Sequence, residues 1–146
     1  MDMDEGNTRK TIMVVDGQGG GLGRAVIEKL REAGLDADIL AIGTNSAATG
    51  VMLRAGADSA ATGENALIHN ASRADFIVGP IGMISANSML GEISPAMAGA
   101  ISSAPGVKML IPMDKCNLYI SGVSDNMGIG DKIEDIASKL RELLDA

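Results

Sequence analysis

The sequence predicts an α/β protein, with a doubly wound parallel sheet in a single three-layer α/β/α domain. Its 146 residues, of which 46% are hydrophobic, are enough to bury one continuous core. Strand-like and helix-like stretches alternate along the chain, as in repeated βαβ units. A glycine-dense turn joins the first predicted strand to the first predicted helix, a position where parallel sheets bind ligands. We therefore expect one domain over 11–146, preceded by a flexible leader over 1–10.

The predicted strands are short apolar runs that turn residues bring to an end. Asp16 follows the first run and Pro112 the fifth, and the glycines and proline over 79–82 break the fourth. Strands are expected at 12–15, 39–42, 57–60, 76–78 and 108–111, with a short edge strand at 118–120.

The predicted helices have apolar residues at helical spacing. The first directs Ala25, Ile27 and Leu30 to the core and ends at Gly34, a residue suited to the left-handed position after a helix. A second helix is expected to end near 53, and three more helices are expected at 64–72, 95–103 and 132–144.

The turn after the first strand is the strongest functional signal. Its backbone amides can approach a phosphate closely, and the following helix directs its positive dipole end to the same place. The alternative is a tight turn that binds nothing. The expected ligand-binding residues of this loop are Gly17, Gln18, Gly19, Gly20, Gly21, Leu22 and Gly23.

The spacing of these glycines excludes one fingerprint and fits another. The dinucleotide pattern G-x-G-x-x-G fails because it would end at Leu22 or Arg24. The pattern G-x-x-x-G-x-G fits at Gly17, Gly21 and Gly23. This segment resembles the cofactor loop of short-chain dehydrogenases and reductases, which implies a pyrophosphate held by the loop amides.

Residues after the other strands are the expected walls of the site, because ligands of such sheets lie outside the carboxyl ends of the strands. Thr44 and Ser46 are equally suited to capping the next helix. The second strand lacks the acidic residue that holds the ribose of NAD. NAD(P) or another nucleotide is nevertheless the expected cofactor. The wall residues are Thr44, Asn45 and Ser46 after the second strand, and Gly79, Pro80, Ile81 and Gly82 after the fourth.

Catalytic candidates are sparse. The tyrosine and lysine pair of short-chain reductases is missing, because Val123 stands four residues after Tyr119. The single histidine, His69, fits an ordinary surface position. The remaining candidates are Asp16, Glu64, Lys115 and Cys116.

Each of these candidates has a structural alternative. Lys115 would lower the pKa of the neighbouring Cys116 thiol, but cysteine is also a common buried filler. Glu64 and Glu92 lie among small or apolar neighbours, where a carboxyl group suits acid–base work. Glu64 is equally placed to stabilise a helix start.

Charge and composition narrow the partners. The net charge of −7 argues against nucleic acid, which needs clustered lysine and arginine. One cysteine allows neither an internal disulfide nor a cysteine-built metal site, so no metal is expected and a reducing cytoplasm fits. No apolar run is long enough for a membrane span, and the acidic start lacks the apolar segment of a signal peptide. We expect a cytoplasmic protein with a small nucleotide or phosphate ligand.

The region over 74–107 carries only two charges, Asp75 and Glu92. We expect part of it to form a subunit interface in a homodimer or higher homo-oligomer. Two identical SAATG pentapeptides, at 46–50 and 59–63, either mark paired loop-to-helix entries to one ligand or are coincidental. The apolar residues expected at the interface include Met83, Met89, Leu90, Met97 and Ile101.

Six segments together resemble a known family. They are VVDGQGGGLG, AIGTNSAATGVMLRAGAD, ATGENA, ADFIVGPIG, GEISPAMA and IPMDKCN. In this order they are similar to a family of short bacterial proteins that carry a domain of unknown function with a Rossmann-like fold. The resemblance implies that fold and nucleotide binding, and no activity comes with it.

The sequence therefore predicts a protein that binds a nucleotide or another phosphorylated small molecule, as a binding or sensing module. One alternative is a small NAD(P)-dependent reductase or a transferase. Another is a structural or interaction subunit that uses the fold and binds no ligand.

Overall fold

The computed structural model describes residues 9–113, 117–123 and 127–146, and its sheet has the predicted α/β architecture. Neighbouring strands are all parallel, in the spatial order β3-β2-β1-β4-β5. The chain moves outward from β1 to β3 and then crosses to β4 on the other side of β1. The strands are β1 (Lys10–Asp16), β2 (Ala37–Gly43), β3 (Ser59–Thr62), β4 (Phe76–Pro80) and β5 (Val107–Ile111).

Helices connect the strands and cover both faces of the sheet. The predicted bounds of 95–103 are confirmed, and Gly34 has the expected positive φ of 65° after the first helix. The helices are α1 (Gly21–Glu32), α2 (Ser46–Arg54), α3 (Glu64–Ala71), α4 (Pro95–Ser103) and α5 (Ile129–Asp145), with a short 3-10 helix at Ile81–Ile84.

Alternate side chains of β1 enter the two halves of the core, which explains its unbroken apolar sequence. Ile12 and Val14 pack with residues of α1, α2 and α5, whereas Met13 and Val15 pack with residues of α3 and α4. All four side chains are fully buried. The three-layer arrangement predicted from the sequence is therefore present.

Two strand predictions need correction. The third strand begins two residues later than expected, because Asp58 forms the turn before it: its carboxylate accepts the Ile39 N–H at 2.8 Å and pairs with Arg31. Residues 118–120 form no strand. Tyr119 there is 94% exposed, so strand formation would gain little burial to offset the ordering of the backbone.

The two SAATG pentapeptides adopt different structures, so their interpretation as paired loop-to-helix entries is wrong. The first begins α2, and the second forms β3 and the turn after it. The Asn45 side chain caps the first copy by accepting the Ala48 N–H, whereas backbone pairing with β2 holds the second copy extended.

Most of the apolar region over 74–107 lies inside the domain. Met83, Met97 and Ile101 are buried against the α3 and α4 side of the sheet, so these three cannot form the expected interface. Leu90 is 96% exposed. Self-association of the chain stays a prediction. None of the described helices has the length and apolar character needed to cross a membrane.

Candidate functional site

A cavity opens beside β1 and β4, where the strand order reverses. In parallel α/β sheets this is the usual place for a ligand. The cavity has a volume of about 250 Å³, slightly below the range of about 300–1,000 Å³ for sites that take drug-sized ligands. It is lined by Asp16, Gly17, Gln18, Gly19, Gly20, Gly21, Leu22, Pro80, Met89 and Met113.

The cavity brings together part of the predicted site. It is lined by six loop residues and by Pro80, while Gly23 is buried behind the loop. Thr44 and Asn45 lie against Gln18 and Glu92 instead. Ser46 is the exposed first residue of α2.

Asp16 fixes the conformation of the glycine loop. Its Oδ1 accepts the Gly17 N–H at 2.8 Å, and its Oδ2 accepts the Gly23 N–H at 2.7 Å. The side chain is buried with 6% exposed, and burial raises the pKa of the Asp16 carboxyl above its usual value although these hydrogen bonds lower it. Asp16 therefore holds both ends of the loop, a role that its sequence position does not reveal.

Three of the loop glycines are crowded by neighbouring atoms of the fold. A Cβ on Gly17 would lie 2.7 Å from both Glu92 Oε1 and Thr44 Oγ1, and one on Gly23 would lie 2.4 Å from Met52 Sδ. Gly20 has a φ of 77° and lies against Ala48 of α2, so a side chain there would be strained and crowded. These glycines are explained without a ligand.

The other two loop glycines, Gly19 and Gly21, are not explained in this way. Neither has a positive φ, and an added Cβ would meet nothing within 4 Å at either position. No residue in the described part of the chain accepts a hydrogen bond from either backbone N–H. Both residues are exposed and line the cavity. The loop therefore offers two free N–H donors on an unobstructed surface at the start of α1.

Glu92 lies against the loop and was not placed there by the sequence analysis. Its Oε1 accepts the Gln18 N–H at 2.8 Å and the Asn45 Nδ2 amide at 3.2 Å, and it also accepts the Thr44 hydroxyl. The hydrogen bond from the Gln18 N–H has the largest effect on the pKa of the Glu92 carboxyl and lowers it, and the hydrogen bond from the Thr44 hydroxyl lowers it further. The only sequence signal was an isolated charge in an apolar region.

Asn45 is the cap of α2, which corrects the expectation of Thr44 or Ser46 in that role. Its Oδ1 accepts the Ala48 N–H at 2.9 Å. The Asn45 amide nitrogen also donates to the Gln18 carbonyl at 2.9 Å. Thr44 does not cap α2, because its hydroxyl donates to Glu92 instead. These contacts join the end of β2 to the glycine loop.

The turn after the fourth strand contributes one residue to the cavity. Gly79 continues β4, and a Cβ on it would lie 2.6 Å from the Val15 carbonyl oxygen of β1, so close strand packing explains this glycine. Pro80 lines the cavity, whereas Ile81 and Gly82 begin the 3-10 helix. The strand therefore continues two residues beyond the predicted 76–78 and ends within the predicted break over 79–82.

Of the remaining catalytic candidates, only Glu64 is among the described residues, and it does not line the cavity. Glu64 begins α3 and accepts a hydrogen bond from Ser94, the cap of α4. Lys115 and Cys116 lie outside the described residues. Among the residues that the structure describes, no group of three or more histidine, cysteine or acidic side chains could hold a metal ion.

Comparison with known proteins identifies the family of the chain. A family model matches residues 11–145, and its description is a domain of unknown function, DUF3842. The comparison with curated proteins finds no match.

Proposed function

The chain belongs to the DUF3842 family, a domain of unknown function, so we propose its function from geometry: it binds a small phosphorylated molecule or nucleotide. A phosphate would accept hydrogen bonds from the backbone N–H groups of Gly19 and Gly21. The observation that carries this proposal is that the fold requires neither glycine and uses neither N–H. Water can satisfy exposed N–H groups at any helix start, so it is the position of both groups at the cavity that favours a ligand.

The chemistry of the cavity favours a ligand of modest charge. Among the residues that the structure describes, no lysine or arginine lines it, so the described part of the site would bind through two N–H donors and the positive end of the α1 dipole. Asp16 at the cavity wall is a carboxyl group, which disfavours a high density of negative charge on the ligand. These features favour one phosphate group in the cavity.

The dimensions favour a ligand no larger than a mononucleotide. The volume of about 250 Å³ is small for a dinucleotide, compared with the usual range for ligand sites. NAD(P) is therefore the less favoured cofactor.

An enzymatic role is the alternative proposal from the sequence. It would use Asp16, Glu64, Lys115 or Cys116, of which Lys115 and Cys116 lie outside the described residues and Glu64 accepts a hydrogen bond from Ser94. Both Asp16 oxygens already accept backbone hydrogen bonds, which favours a structural role for that residue. Binding is therefore the function that the geometry supports best.

The proposal is tested by substituting a glycine that only the ligand should require. We expect Gly21→Val to weaken binding at least about tenfold, because the valine side chain would obstruct the approach of the phosphate to the two N–H groups, and two hydrogen bonds to a charged group contribute more than about 1.4 kcal/mol. Gly99→Val is the matched control, because Gly99 is also helical, exposed and unobstructed. Calorimetry with AMP, GMP, FMN, NAD, NADP and ribose 5-phosphate would measure the affinities.

Two outcomes would contradict the proposal. One is the absence of saturable binding to every compound by the folded wild-type protein, which would favour a structural or interaction subunit. The other is binding that Gly21→Val and Gly99→Val leave equally unchanged, which would place the ligand elsewhere.

A further inference from the structure

We propose that the Gln18 N–H, the Thr44 hydroxyl and the Asn45 side-chain amide form a second anion subsite, which the chain's own Glu92 carboxylate fills until an anionic group of the ligand displaces it. This inference rests on the proposed function, because the second subsite and the cavity share the glycine loop. It identifies Glu92 as a tethered competitor of the ligand.

The geometry of the three donors is that of a site for a single anionic oxygen. All three donate to Glu92 Oε1, and they come from the loop after β1 and from the end of β2. None of them carries a positive charge. Neutral donors that converge on one oxygen would donate to a phosphate oxygen as readily as to a carboxylate oxygen.

This second subsite adjoins the cavity. A Cβ on Gly17 would lie 2.7 Å from Glu92 Oε1 and 2.9 Å from Met89 Sδ, and Met89 and Gly17 both line the cavity. The Gln18 N–H belongs to the residue next to Gly19. A ligand with two linked phosphates could therefore use the free donors of Gly19 and Gly21 and reach the donors that hold Glu92.

Only the Glu92 side chain would need to move. The following residue, Ile93, is fully buried, and its carbonyl accepts the Asn87 N–H at 2.7 Å. The Glu92 N–H itself donates to the Met89 carbonyl at 3.1 Å, so the backbone is held at Glu92 and at the residue after it. Glu92 itself is partly exposed, and its three bonds to neutral donors can be replaced by water when it swings outward.

The role of Glu92 is distinct from a purely structural one. A structural latch predicts that removing the carboxylate disorders the loop and weakens ligand binding. A tethered competitor predicts that removing the carboxylate strengthens binding. The apparent affinity for the ligand is the intrinsic affinity multiplied by the fraction of molecules in which the subsite is free. The two roles therefore predict effects of opposite sign.

The test is a titration of ¹⁵N-labelled protein with inorganic phosphate and with pyrophosphate, followed by amide chemical shifts. In the wild type, we expect phosphate to shift the amide signals of Gly19 and Gly21 more than that of Gln18. In Glu92→Ala, the Gln18 amide should respond as well, and pyrophosphate should bind about tenfold more tightly, as expected for removal of an occupant present about 90% of the time.

Two further variants serve as controls. Glu92→Gln keeps an oxygen acceptor and the length of the side chain, so it should give an intermediate affinity and preserve the fold. Glu142→Gln removes the same charge from α5, where Glu142 pairs only with Lys139 in the described contacts, and should behave as the wild type. Melting temperatures with and without pyrophosphate would show a larger increase for Glu92→Ala.

The results separate this inference from the proposed function. If Gly19 and Gly21 respond but Gln18 of Glu92→Ala does not, or if Glu92→Ala binds more weakly, the second subsite is refuted and the proposed function stands. A response of Gln18 without Gly19 and Gly21 supports the second subsite and contradicts the proposed function. If none of the three responds in any variant, both are refuted.

Discussion

At the scale of single residues, the glycine loop contains two kinds of glycine that look alike in the sequence. Gly17, Gly20 and Gly23 are required by neighbouring atoms or by a positive φ, whereas Gly19 and Gly21 are not. The same distinction applies to Gly79, which lies in β4 against the backbone of β1. What favours a ligand at Gly19 and Gly21 is that their N–H groups, unpaired within the described residues, also line the cavity.

Replacing glycine by alanine at Gly79 and at Gly21 should therefore have different effects on stability. Gly79→Ala should lower the free energy of unfolding by about 1–3 kcal/mol, the range for overpacked cores, because the backbone of β1 cannot move away. Gly21→Ala should change it by less than about 0.5 kcal/mol, as at other open surface positions. Urea unfolding measures both, and equal losses would show that the fold also requires Gly21.

At the scale of elements, tertiary contacts decide structures that local sequence leaves open. The identical pentapeptides at 46–50 and 59–63 form a helix start and a strand. The turn before Glu92 is another case, since Met89 and Leu90 have φ values of 55° and 56°. These left-handed residues bring Met89 against Gly17 and direct Glu92 to Gln18.

Leu90→Gly should raise the free energy of unfolding, although replacing leucine by glycine usually lowers it. Leu90 is 96% exposed, so little burial is lost, and glycine removes a left-handed strain of about 1–2 kcal/mol. The greater freedom of glycine in the unfolded chain offsets about 0.5–1 kcal/mol of this gain. We expect the midpoint of urea unfolding to rise.

The control for this change is another exposed leucine with ordinary helical geometry. Leu53 of α2 is 48% exposed, and Leu53→Gly should lower the free energy of unfolding by about 0.5–1 kcal/mol. If both substitutions destabilised the protein equally, the left-handed conformation at Leu90 would carry no energetic penalty.

At the scale of the whole molecule, the strand order brings distant segments to one end of the sheet. Glu92 joins the loop after β1 to the end of β2, across 74 residues to Gln18 and 48 residues to Thr44. Asp16 lies nearby, and the negative charge of Glu92 contributes to its raised pKa. The two carboxyl groups therefore act on the stability of the whole domain with opposite dependence on pH.

The pH dependence of unfolding should show the contribution of Glu92. Its folded pKa is lowered from the ordinary value of 4.5, so the stability that it provides is present above that pH and is lost as the pH falls through the folded pKa. Asp16 acts oppositely. Its folded pKa is raised from 3.8, so the stability that its protonated form provides is lost as the pH rises through the folded pKa.

Urea unfolding of the wild type and of Glu92→Gln from pH 3 to 7 measures this contribution. We expect the wild type to be the more stable protein above about pH 4.5 and the difference to shrink below it, because protonated glutamate and glutamine are then similar. A difference that is constant over the whole range would show that the Glu92 charge does not stabilise the loop.

The sequence by itself determined the parallel α/β architecture, the glycine loop between β1 and α1, and the bounds of α4, because apolar periodicity, glycines and caps act within a few residues. Self-association, by contrast, stays a prediction. The tertiary structure alone decided which loop glycines are free, which residue caps α2, and where Glu92 binds. These features depend on contacts between segments far apart in the chain, which no local pattern contains.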